Sequence, residues 1–572
     1  MVRAHWVILS LFVLTLALTA CAGAGPASPV TAPPAAPGSE ARTLVALAGN
    51  EPASIAARSF SPAGTSIRFQ QRVVNALPAL IDAKGSPQPE LLASLPALNT
   101  QSWQVFPDGT MQTTYALRPN LTWHNGEPLT SEDFVFSWRV YSSPDLGLAN
   151  QPPMTFMSDL TAVDREHFTI KWKRTYPDAD NLSYTQRELP PLPQHILGPA
   201  FDKIATGDRE AFVTNPYWTR EYVGLGPYRI TNWESGALIE LVRFEGYALG
   251  APKIGRLEMR FGTDANVTVA NMLAGTVHFA SSLDSTESLR QEWSRTNRGR
   301  FLDSINAVNF LAFQLRLEYA NPTAPMDPRV RKAIAHMVDK QTLVDTVFGG
   351  NALPTDTPVW IGSQWGAAVD SSVPIYPFDL RAAETLMTQA GYRRGADGFY
   401  GGPEGRIAPL EVVSTATPDK IQTSDVVSDW LKAGGLDSSR RSIPNAQTSD
   451  NEVRSTYPGV LVISSSPGET ALSTLLTSAS ISSAGNHWVG GNRTGWSNPE
   501  YDGLLNAFST TLDRSERVMQ VRQMLRVYSE ELPFVSLFFS TGKDAVVSAI
   551  RGPGSTAPEA NAAWNIHEWS FE

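Results

Sequence analysis

A helical pattern of apolar and polar positions begins at Ser131. Phe134 and Trp138 are four residues apart, which places both on one face of a helix and predicts a buried stripe. Thr130 and Asp133 have the spacing of a capping box, in which the Thr130 hydroxyl accepts the backbone N–H of the third helical residue. The pattern therefore predicts a helix that starts at Ser131.

Two further helices are indicated by the residues at their ends. Asp327 followed by Pro328 is a capping residue before a proline at the first helical position. Asp379 opens another helical pattern that ends at Gly391, and a glycine there can adopt the left-handed conformation that terminates helices. The apolar positions are Val330, Ala333, Ile334, Met337 and Val338 in the first helix and Leu380, Ala383, Leu386, Met387 and Ala390 in the second.

Strand patterns lie between these helices. Residues 228–233 and 238–244 flank a Glu-Ser-Gly sequence that ends at Gly236, and this arrangement predicts a β-hairpin. Gly224 and Gly226 precede the hairpin, and we interpret them as turn residues in preference to ligand contacts. Helices that alternate with strands predict a mixed α/β chain.

The most strongly apolar run of the chain stands at its amino terminus. It covers residues 6–20, follows the positive charge of Arg3 and ends in Leu-Thr-Ala before Cys21. A charged start, an apolar centre and small residues before a cleavage point are typical of a secretory signal peptide, whereas a membrane span needs about 20 apolar residues. We therefore predict a signal peptide over residues 1–20 and export of the chain.

Cys21 is the only cysteine, and the Leu-Thr-Ala-Cys sequence resembles the lipobox of bacterial lipoproteins. That resemblance implies a lipidated N-terminus, and two or more acyl chains anchor a protein stably. An ordinary signal peptide with an incidental cysteine is the alternative. Residues 22–39 contain five prolines and three glycines but no aromatic or charged side chain, so residues 21–42 are predicted to be a lipid-anchored flexible linker.

Composition narrows the classes of partner. The chain has 46 Lys plus Arg against 56 Asp plus Glu and a pI near 5.4, so we exclude nucleic acid as a partner. With its one cysteine used for the anchor, no disulfide can form, and stability must come from the packing of a large core.

Catalytic signatures are missing from the sequence. It contains no G-x-S-x-G, H-E-x-x-H, G-x-x-x-x-G-K-[ST] or G-x-G-x-x-G, and its histidines have no spacing that suggests a metal site. Asp178 and Asp180 resemble the start of a calcium loop, but the glycine and the terminal glutamate of such a loop are absent. We expect no enzyme activity, no metal and no cofactor.

Five segments together resemble the extracytoplasmic solute-binding proteins of the oligopeptide, dipeptide and nickel type, which serve ABC importers. They are residues 121–138 (LTWHNGEPLTSEDFVFSW), 223–230 (VGLGPYRI), 327–340 (DPRVRKAIAHMVDK), 376–392 (YPFDLRAAETLMTQAGY) and 492–502 (NRTGWSNPEYD). Any one of them would be a weak match. Because all five occur in the family's order behind a lipobox, they identify the chain as similar to this family over nearly its whole mature length.

The resemblance implies an α/β fold, the two-lobed periplasmic-binding-protein type II fold with an additional third subdomain, in which the lobes close over a solute. Residues 309–314 are expected to act as hinge strands, and the chain is expected to be a monomer. The implied divisions are a discontinuous first lobe at residues 43–88, 218–306 and 546–572, the additional subdomain at 89–217 and the second lobe at 307–545.

One departure from the family bears on the solute. Peptide-binding relatives carry a Trp and then an Asp after a strand of the second lobe, where the Asp can pair with the α-amino group of the peptide. Both are missing after the comparable strand here. Glu469 could replace the carboxylate or lie in a plain surface turn, and Ser464, Ser465 and Ser466 could hydrogen-bond a neutral or anionic solute or simply form a loop.

Five weaker candidates fall where members of the family contact solute, and for each of them packing is an equally good interpretation. An aromatic side chain at such a place could stack on a peptide bond, a ring or a sugar face. The candidates are Asn50, Ser59, Phe60, Trp365 and Trp488.

Three functions remain open on the sequence. The first is a receptor, anchored through Cys21 at the outer face of the cell membrane or in the periplasm, that captures a peptide-like or other small polar solute and delivers it to the permease subunits of an ABC importer. The second is a lipoprotein that senses a ligand and signals without transport. The third, a secreted hydrolase, is disfavoured because the motifs supply no nucleophile, base and orienting group.

Overall fold

Two large β-sheets carry the architecture of the computed structural model. It describes residues 42–58, 68–146, 152–183, 188–262, 264–281, 283, 287–302, 304–542, 544–558 and 560–572. The predicted signal peptide, Cys21 and the linker up to residue 41 lie outside these residues. Within the described part, none of the helices combines the length and the apolar character that crossing a membrane requires.

The strands are short and are distributed over the whole described chain. They are β1 Thr43–Leu47, β2 Ala79–Ile81, β3 Pro87–Pro89, β4 Trp103–Val105, β5 Met111–Ala116, β6 Met157–Ala162, β7 His167–Trp172, β8 Tyr228–Glu234, β9 Leu238–Arg243, β10 Arg256–Arg260, β11 Phe279–Ala280, β12 Gly299–Leu302, β13 Ile305–Phe313, β14 Ala352–Pro354, β15 Arg393–Arg394, β16 Tyr400–Gly402, β17 Gly405–Arg406, β18 Leu410–Thr415, β19 Ser438–Ile443, β20 Val460–Ser465, β21 Phe534–Thr541, β22 Asp544–Val547, β23 Ile550–Arg551 and β24 Ser570–Phe571.

The α-helices are interspersed with these strands. They are α1 Arg68–Val74, α2 Ser131–Tyr141, α3 Gln194–Phe201, α4 Glu210–Val213, α5 Ala265–Leu273, α6 Glu287–Arg295, α7 Pro328–Met337, α8 Lys340–Phe348, α9 Leu380–Gln389, α10 Pro418–Ala433, α11 Pro499–Phe508 and α12 Arg514–Glu531.

The first sheet has seven strands in the order β12-β22-β11-β1-β10-β9-β8. Its central strand β1 pairs in parallel with β10 and β11, and β8 and β9 form an antiparallel pair at one edge. The predicted hairpin is confirmed, since β8 and β9 flank Gly236, whose φ is 76°. A separate four-stranded antiparallel sheet, β4-β5-β7-β6, shares one apolar core with the first sheet.

The second sheet has six strands in the order β14-β21-β13-β20-β18-β19. Its central strand β13 sends alternate side chains to opposite faces, as the two-residue period of a strand requires. Phe310 and Ala312 enter one apolar core, and Leu311 and Phe313 enter another. Both faces of this sheet are therefore covered, which explains why β13 is apolar almost throughout.

The chain passes between the two large sheets at two adjacent places. One passage leads from β12 to β13 and the other from β21 to β22. The strands on either side of the passages are paired: β12 with β22 in the first sheet, and β13 with β21 in the second. The two sheets are thus joined by a pair of neighbouring strands.

The three helices predicted from their ends are confirmed, and their caps show why they form. The side chains of Asp327 and Asp379 accept backbone N–H bonds at the starts of α7 and α9, and Gly391 has a φ of 92° just after α9. Helix α2 starts at Ser131 as predicted, and the capping box between Thr130 and Asp133 is present. The Asp133 carboxylate accepts the Thr130 N–H at 3.0 Å, and the Asp133 N–H also donates to the Thr130 carbonyl at 3.1 Å.

Gly224 and Gly226 serve close packing of the backbone, and the interpretation as turn residues alone is wrong. A Cβ atom at either position would overlap with the backbone of Val74 at the end of α1. The N–H of Gly226 donates to the Val74 carbonyl at 3.0 Å. These glycines therefore allow the entry to β8 to lie directly against α1.

His124 holds the same segment from the other side. Its Nδ1 accepts the N–H of Gly224 at 3.2 Å, and its Nε2 donates to the carbonyl of Gly226 at 3.0 Å. This pattern requires the neutral ring, because Nδ1 must be free of a proton to accept. Burial lowers the pKa of His124 to about 4, so the fold keeps the ring neutral near pH 7.

We expect Gly226→Ala to lower the free energy of unfolding by about 1–3 kcal/mol, the usual cost of forcing atoms into a packed interior. Urea unfolding followed by circular dichroism measures the change. Gly503→Ala is the matched control, because nothing lies within 4 Å of a Cβ placed there inside α11, and alanine in a helix should be neutral or stabilise by up to about 1 kcal/mol. Equal stability of the Gly226→Ala and wild-type proteins would refute the close-packing role.

The neutral His124 predicts a loss of stability in acid. The unfolded ring, with a pKa near 6.5, takes up a proton between about pH 6.5 and pH 4 that the folded ring does not. The stabilising contribution is therefore complete above about pH 6.5 and declines as the pH falls towards 4, by up to about 1.4 kcal/mol per pH unit. In His124→Gln, the slope of unfolding free energy against pH between 6 and 4.5 should be shallower than in the wild type. An unchanged slope would contradict the assignment.

Candidate functional site

A cavity of about 550 Å³ lies between the first and second sheets, beside the two passages of the chain. Its size falls within the range of small-molecule sites in proteins, roughly 300–1,000 Å³. Both sheets, helix α1 and the C-terminal segment contribute to its wall. The described lining residues are Arg68, Phe69, Ser281, Ser304, Ile305, Asn306, Ala307, Ser464, Ser465, Ser466, Gly542, Asp544, Thr556, Ala557, Pro558, Ala560, Asn561 and Ala562.

The pairing of β13 with β20 explains why the serines reach this cavity. Val308 pairs with Ser465 and Asn309 with Ser464, so the end of β20 lies beside the start of β13, which follows the first passage. The apolar residues of β20 precede the serines and are buried, whereas Ser464 is exposed. The hydroxyl of Ser464 accepts a hydrogen bond of 3.2 Å from the Nζ of Lys420 on α10.

The C-terminal segment is fastened to the first passage by hydrogen bonds. The Oγ of Ser304 accepts the N–H of Thr556 at 2.7 Å, and the Thr556 hydroxyl lies 3.2 Å from the same atom. Further along, the Asn561 side chain donates to the backbone carbonyl of Arg68 at 2.7 Å. Segments far apart in the sequence thus form one continuous wall.

The described lining is mainly hydroxyl, amide and small apolar groups. Arg68 and Asp544 are its charged side chains, and Phe69 is its aromatic one, among the residues that the structure describes. Serine hydroxyls line the wall, but no histidine does within that described set, so a serine–histidine pair for nucleophilic catalysis is not formed there. The hydroxyl and amide groups of the described lining can hydrogen-bond a polar molecule.

A second, smaller cavity of about 140 Å³ adjoins the first and shares Arg68 and Asn561 with it. A buried ion pair forms part of its wall: Arg72 Nη1 lies 3.0 Å from Glu90 Oε1. The Tyr247 hydroxyl completes the group, since it donates to Glu90 at 2.6 Å and accepts from Arg72 at 2.7 Å. Burial raises the pKa of the Tyr247 hydroxyl, so that it remains a donor at all physiological pH values.

The structure brings only part of the predicted site together. Ser464, Ser465 and Ser466 line the larger cavity. Asn50 is exposed after the end of β1 and is not among the described lining residues. Ser59 and Phe60 lie outside the described residues.

Both candidate tryptophans lie beside other aromatic side chains. Trp365 is 1% exposed, with its ring centroid 5.1 Å from that of Phe508 and the Arg517 guanidinium 4.8 Å above it. Trp488 is half-buried, with a φ of 59° and its ring 6.1 Å from that of Tyr319. Neither tryptophan is among the described residues that line the cavity.

Glu469 is buried, with 4% of its surface exposed. Its Oε1 lies 3.9 Å from Nη2 of Arg517 on α12. The carboxylate therefore faces an arginine of its own chain, and Glu469 is not among the described lining residues of the cavity.

Several lining residues were not predicted from the sequence. Ser304 and Asn306 lie on or beside the first passage, a few residues before the segment 309–314 that was expected to be hinge strand. Extending that expected hinge segment towards its amino-terminal end would have found both residues. Asp544, Thr556 and Asn561 carry no such local signal, because their positions depend on how the C-terminal part of the chain folds back.

The described residues contain no group of three or more His, Cys, Asp or Glu side chains that could hold a metal ion. Their polar groups at the cavity are hydroxyls, amides, the guanidinium of Arg68 and the carboxylate of Asp544.

Comparison with known proteins gives three informative similarities. Residues 95–485 match the family of bacterial extracellular solute-binding proteins, family 5 Middle. An ABC transporter peptide-binding protein of Brucella ovis is 24% identical over 296 residues, 51% of the chain and 51% of that protein. The chain thus spans about half the length of this curated relative. Heme-binding protein A of Haemophilus influenzae is 24% identical over 575 residues, 95% of each chain.

A solved structure extends the comparison to the fold. The crystal structure of NikZ from Campylobacter jejuni in complex with Ni(L-His) has a TM-score of 0.72 to this chain at 20% sequence identity, covering 92% of this chain and 99% of the other. At this identity the likeness shows the fold alone. It confirms the predicted α/β fold of the periplasmic-binding-protein type II class.

Proposed function

The chain belongs to the bacterial extracellular solute-binding proteins of family 5, and we propose that it captures a small polar solute and delivers it to an ABC-type importer. The observation that carries this proposal is the cavity of about 550 Å³ with walls from both large sheets at the double passage of the chain. The relatives named above are binding proteins, so we propose capture for transport in preference to signalling, and we propose no catalytic step.

We propose that the solute is enclosed by a hinge motion of two lobes. The first lobe would comprise residues 43–88, 218–306 and 546–572, the additional subdomain 89–217 and the second lobe 307–545. Two features support this division: the first and second sheets have separate apolar cores, and two neighbouring strands connect the sheets. Such a connection allows the sheets to tilt about the passages while every strand keeps its partners.

The proposed solute is neutral or carries an anionic group, instead of being an ordinary peptide with a free amino terminus. Ser464, Ser465 and Ser466 supply hydroxyls, whereas Glu469 faces Arg517. A buried ammonium group without a counter-charge costs several kcal/mol. Asp544 is the carboxylate among the described lining residues, and it is the residue that would receive an ammonium group if the solute has one.

The proposed location follows from the amino terminus. Cys21 would carry the lipid, residues 21–42 would act as the linker, and the binding part would face the permease subunits of the importer outside the cell membrane or in the periplasm. We propose that the receptor works as a monomer, because one chain contains every described wall of the cavity.

The anchor is tested at Cys21. We expect Cys21→Ser to abolish metabolic labelling with a radioactive fatty acid, because the thiol is the acylated group, and to release the protein from the membrane fraction or leave its precursor unprocessed. Labelling and sedimentation of the wild type serve as the control. Fatty-acid labelling that persists in Cys21→Ser would show that the lipid is attached elsewhere.

Solute capture is tested with native mass spectrometry, to identify a solute retained by the purified protein, followed by calorimetric titration of that solute. Replacing Ser464, Ser465 and Ser466 together by alanine should weaken its binding at least about tenfold, since each hydrogen bond contributes about 0.5–1.5 kcal/mol. Ser158→Ala, at an exposed position on the four-stranded sheet, should leave the affinity unchanged. A triple variant that binds as tightly as the wild type would place the site elsewhere.

The solute class is tested by a thermal-shift screen that includes trialanine, pentaalanine and their N-acetylated amides. We expect free peptides to stabilise the protein no more than the acetylated ones, because Glu469 is engaged with Arg517. Tight binding of free peptides that disappears on acetylation would contradict the proposal. Asp544→Asn and Glu469→Gln would then identify which carboxylate receives the amino group.

A further inference from the structure

Residues 508–517 contact two different apolar cores. Phe508, at the end of α11, belongs to a core of the second sheet. Leu512, four residues later, packs against the core shared by the first sheet and the four-stranded sheet. This segment therefore lies where the half built on the second sheet meets the half that contains the first sheet and the four-stranded sheet.

Arg517 is the central side chain of this contact. It is 9% exposed, and its Nη1 lies 3.5 Å from Oδ1 of Asp178 while its Nη2 lies 3.9 Å from Oε1 of Glu469. Its guanidinium also stands 4.2 Å from the ring centroid of Phe508 and 4.8 Å from that of Trp365. The planar guanidinium can therefore interact with two carboxylates at its edges and with two aromatic rings at its faces.

The partners of Arg517 come from both halves. Glu469, Phe508 and Trp365 belong to the same half as Arg517 itself, the part built on the second sheet. Asp178 follows β7 of the four-stranded sheet, which shares its core with the first sheet. A second bond parallels this ion pair, since the Thr175 hydroxyl donates to the Thr510 carbonyl at 2.6 Å.

Asp180 adds a third carboxyl to the contact. Its neighbours are Asp178 on its own turn, the Tyr115 hydroxyl on β5, and Arg514 and Arg517 on α12. Burial, followed by the charge of Asp178, raises the pKa of Asp180 to about 7. Below that pH the carboxyl is mostly uncharged, so the negative charge that Arg517 meets across the contact is chiefly that of Asp178.

We propose that Arg517 is the positioning residue of a latch that holds the four-stranded sheet against the half built on the second sheet and thereby limits how far the cavity opens. The two passages join the sheets covalently at one place, and the Asp178–Arg517 and Thr175–Thr510 bonds join them non-covalently at another. Because the four-stranded sheet moves with the first sheet through their common core, releasing the latch frees the first sheet to swing away from the second. The inference rests on the hinge motion proposed above, but it does not depend on which solute is bound.

The test compares Asp178→Asn and Arg517→Met with Arg526→Met, measured on the purified protein after any retained solute has been removed by dialysis under denaturing conditions and refolding. Arg526 lies on the same helix but is 54% exposed, and its ion pair is with Glu530 one turn further along α12, so it controls for the loss of a positive charge on α12. Hydrogen exchange reports opening at residues 175–181 and 508–517, and small-angle X-ray scattering reports the radius of gyration.

We expect Asp178→Asn and Arg517→Met to exchange at least fivefold faster at residues 175–181 and to have a larger radius of gyration, with no further increase in the double variant. Arg526→Met should match the wild type. Asp178→Asn removes the charge of Asp178 from the contact and leaves the pair of Arg517 with Glu469, so it remains informative if Arg517→Met does not fold.

The proposal is overturned if Asp178→Asn matches the wild type in both measurements, or if Arg517→Met accelerates exchange only around residues 365, 469 and 508. Either result would make Arg517 a core residue of one half and not a latch. Failure of the serine variants to change solute affinity would leave these results untouched, because no solute is present in them.

Discussion

The pairing of two neighbouring strands on both sides of the double passage is the constraint on which the rest of the structure depends. β12 pairs with β22 in one sheet and β13 with β21 in the other, so the chain crosses twice within one ribbon of backbone hydrogen bonds. A ribbon of this kind resists sliding and separation of its strands, and we propose that it bends at the short connections between the two sheets. The cavity lies beside those connections, and its walls include residues next to both of them. The position of the proposed site and the hinge motion that we propose therefore depend on the same pair of strands.

The local elements of this fold can be predicted from the sequence because they depend on residues that are close together in the chain. Asp327, Asp379 and Gly391 mark helix ends through hydrogen bonds and backbone conformations that involve only a few residues. The hairpin at Gly236 is equally local. By contrast, no local pattern shows that β22, from the end of the chain, pairs between β11 and β12. The role of Gly226 could not be predicted locally either. A glycine is needed there because the backbone of Val74 lies against it, and not because the chain turns at Gly226.

The residues of the candidate site could be predicted from the sequence only where a strand pattern indicated them. Ser464, Ser465 and Ser466 follow the apolar residues of β20, and polar residues at a strand end are reasonable candidates for a cleft. Asp544 and Asn561 line the same cavity, but they reach it through long-range folding that a single sequence does not encode in readable form. Glu469 could be named as a candidate from the sequence, but its partner could not be predicted. The arginine that faces its carboxylate, Arg517, lies on α12, a later helix. Burial of a charged group is decided by such partners, and they are set by tertiary structure.

The central claim is that one solute occupies the cavity between the two large sheets and contacts both of them. Structure determination of the protein with its co-purified solute tests this most directly. The account predicts electron density for the solute within hydrogen-bond distance of Ser464, Ser465 or Ser466 on the second sheet and, at the same time, of the residues at Ser304, Asn306 or Asp544 beside the passages. A solute bound at another place, or in contact with only one of the two sheets, would contradict the account.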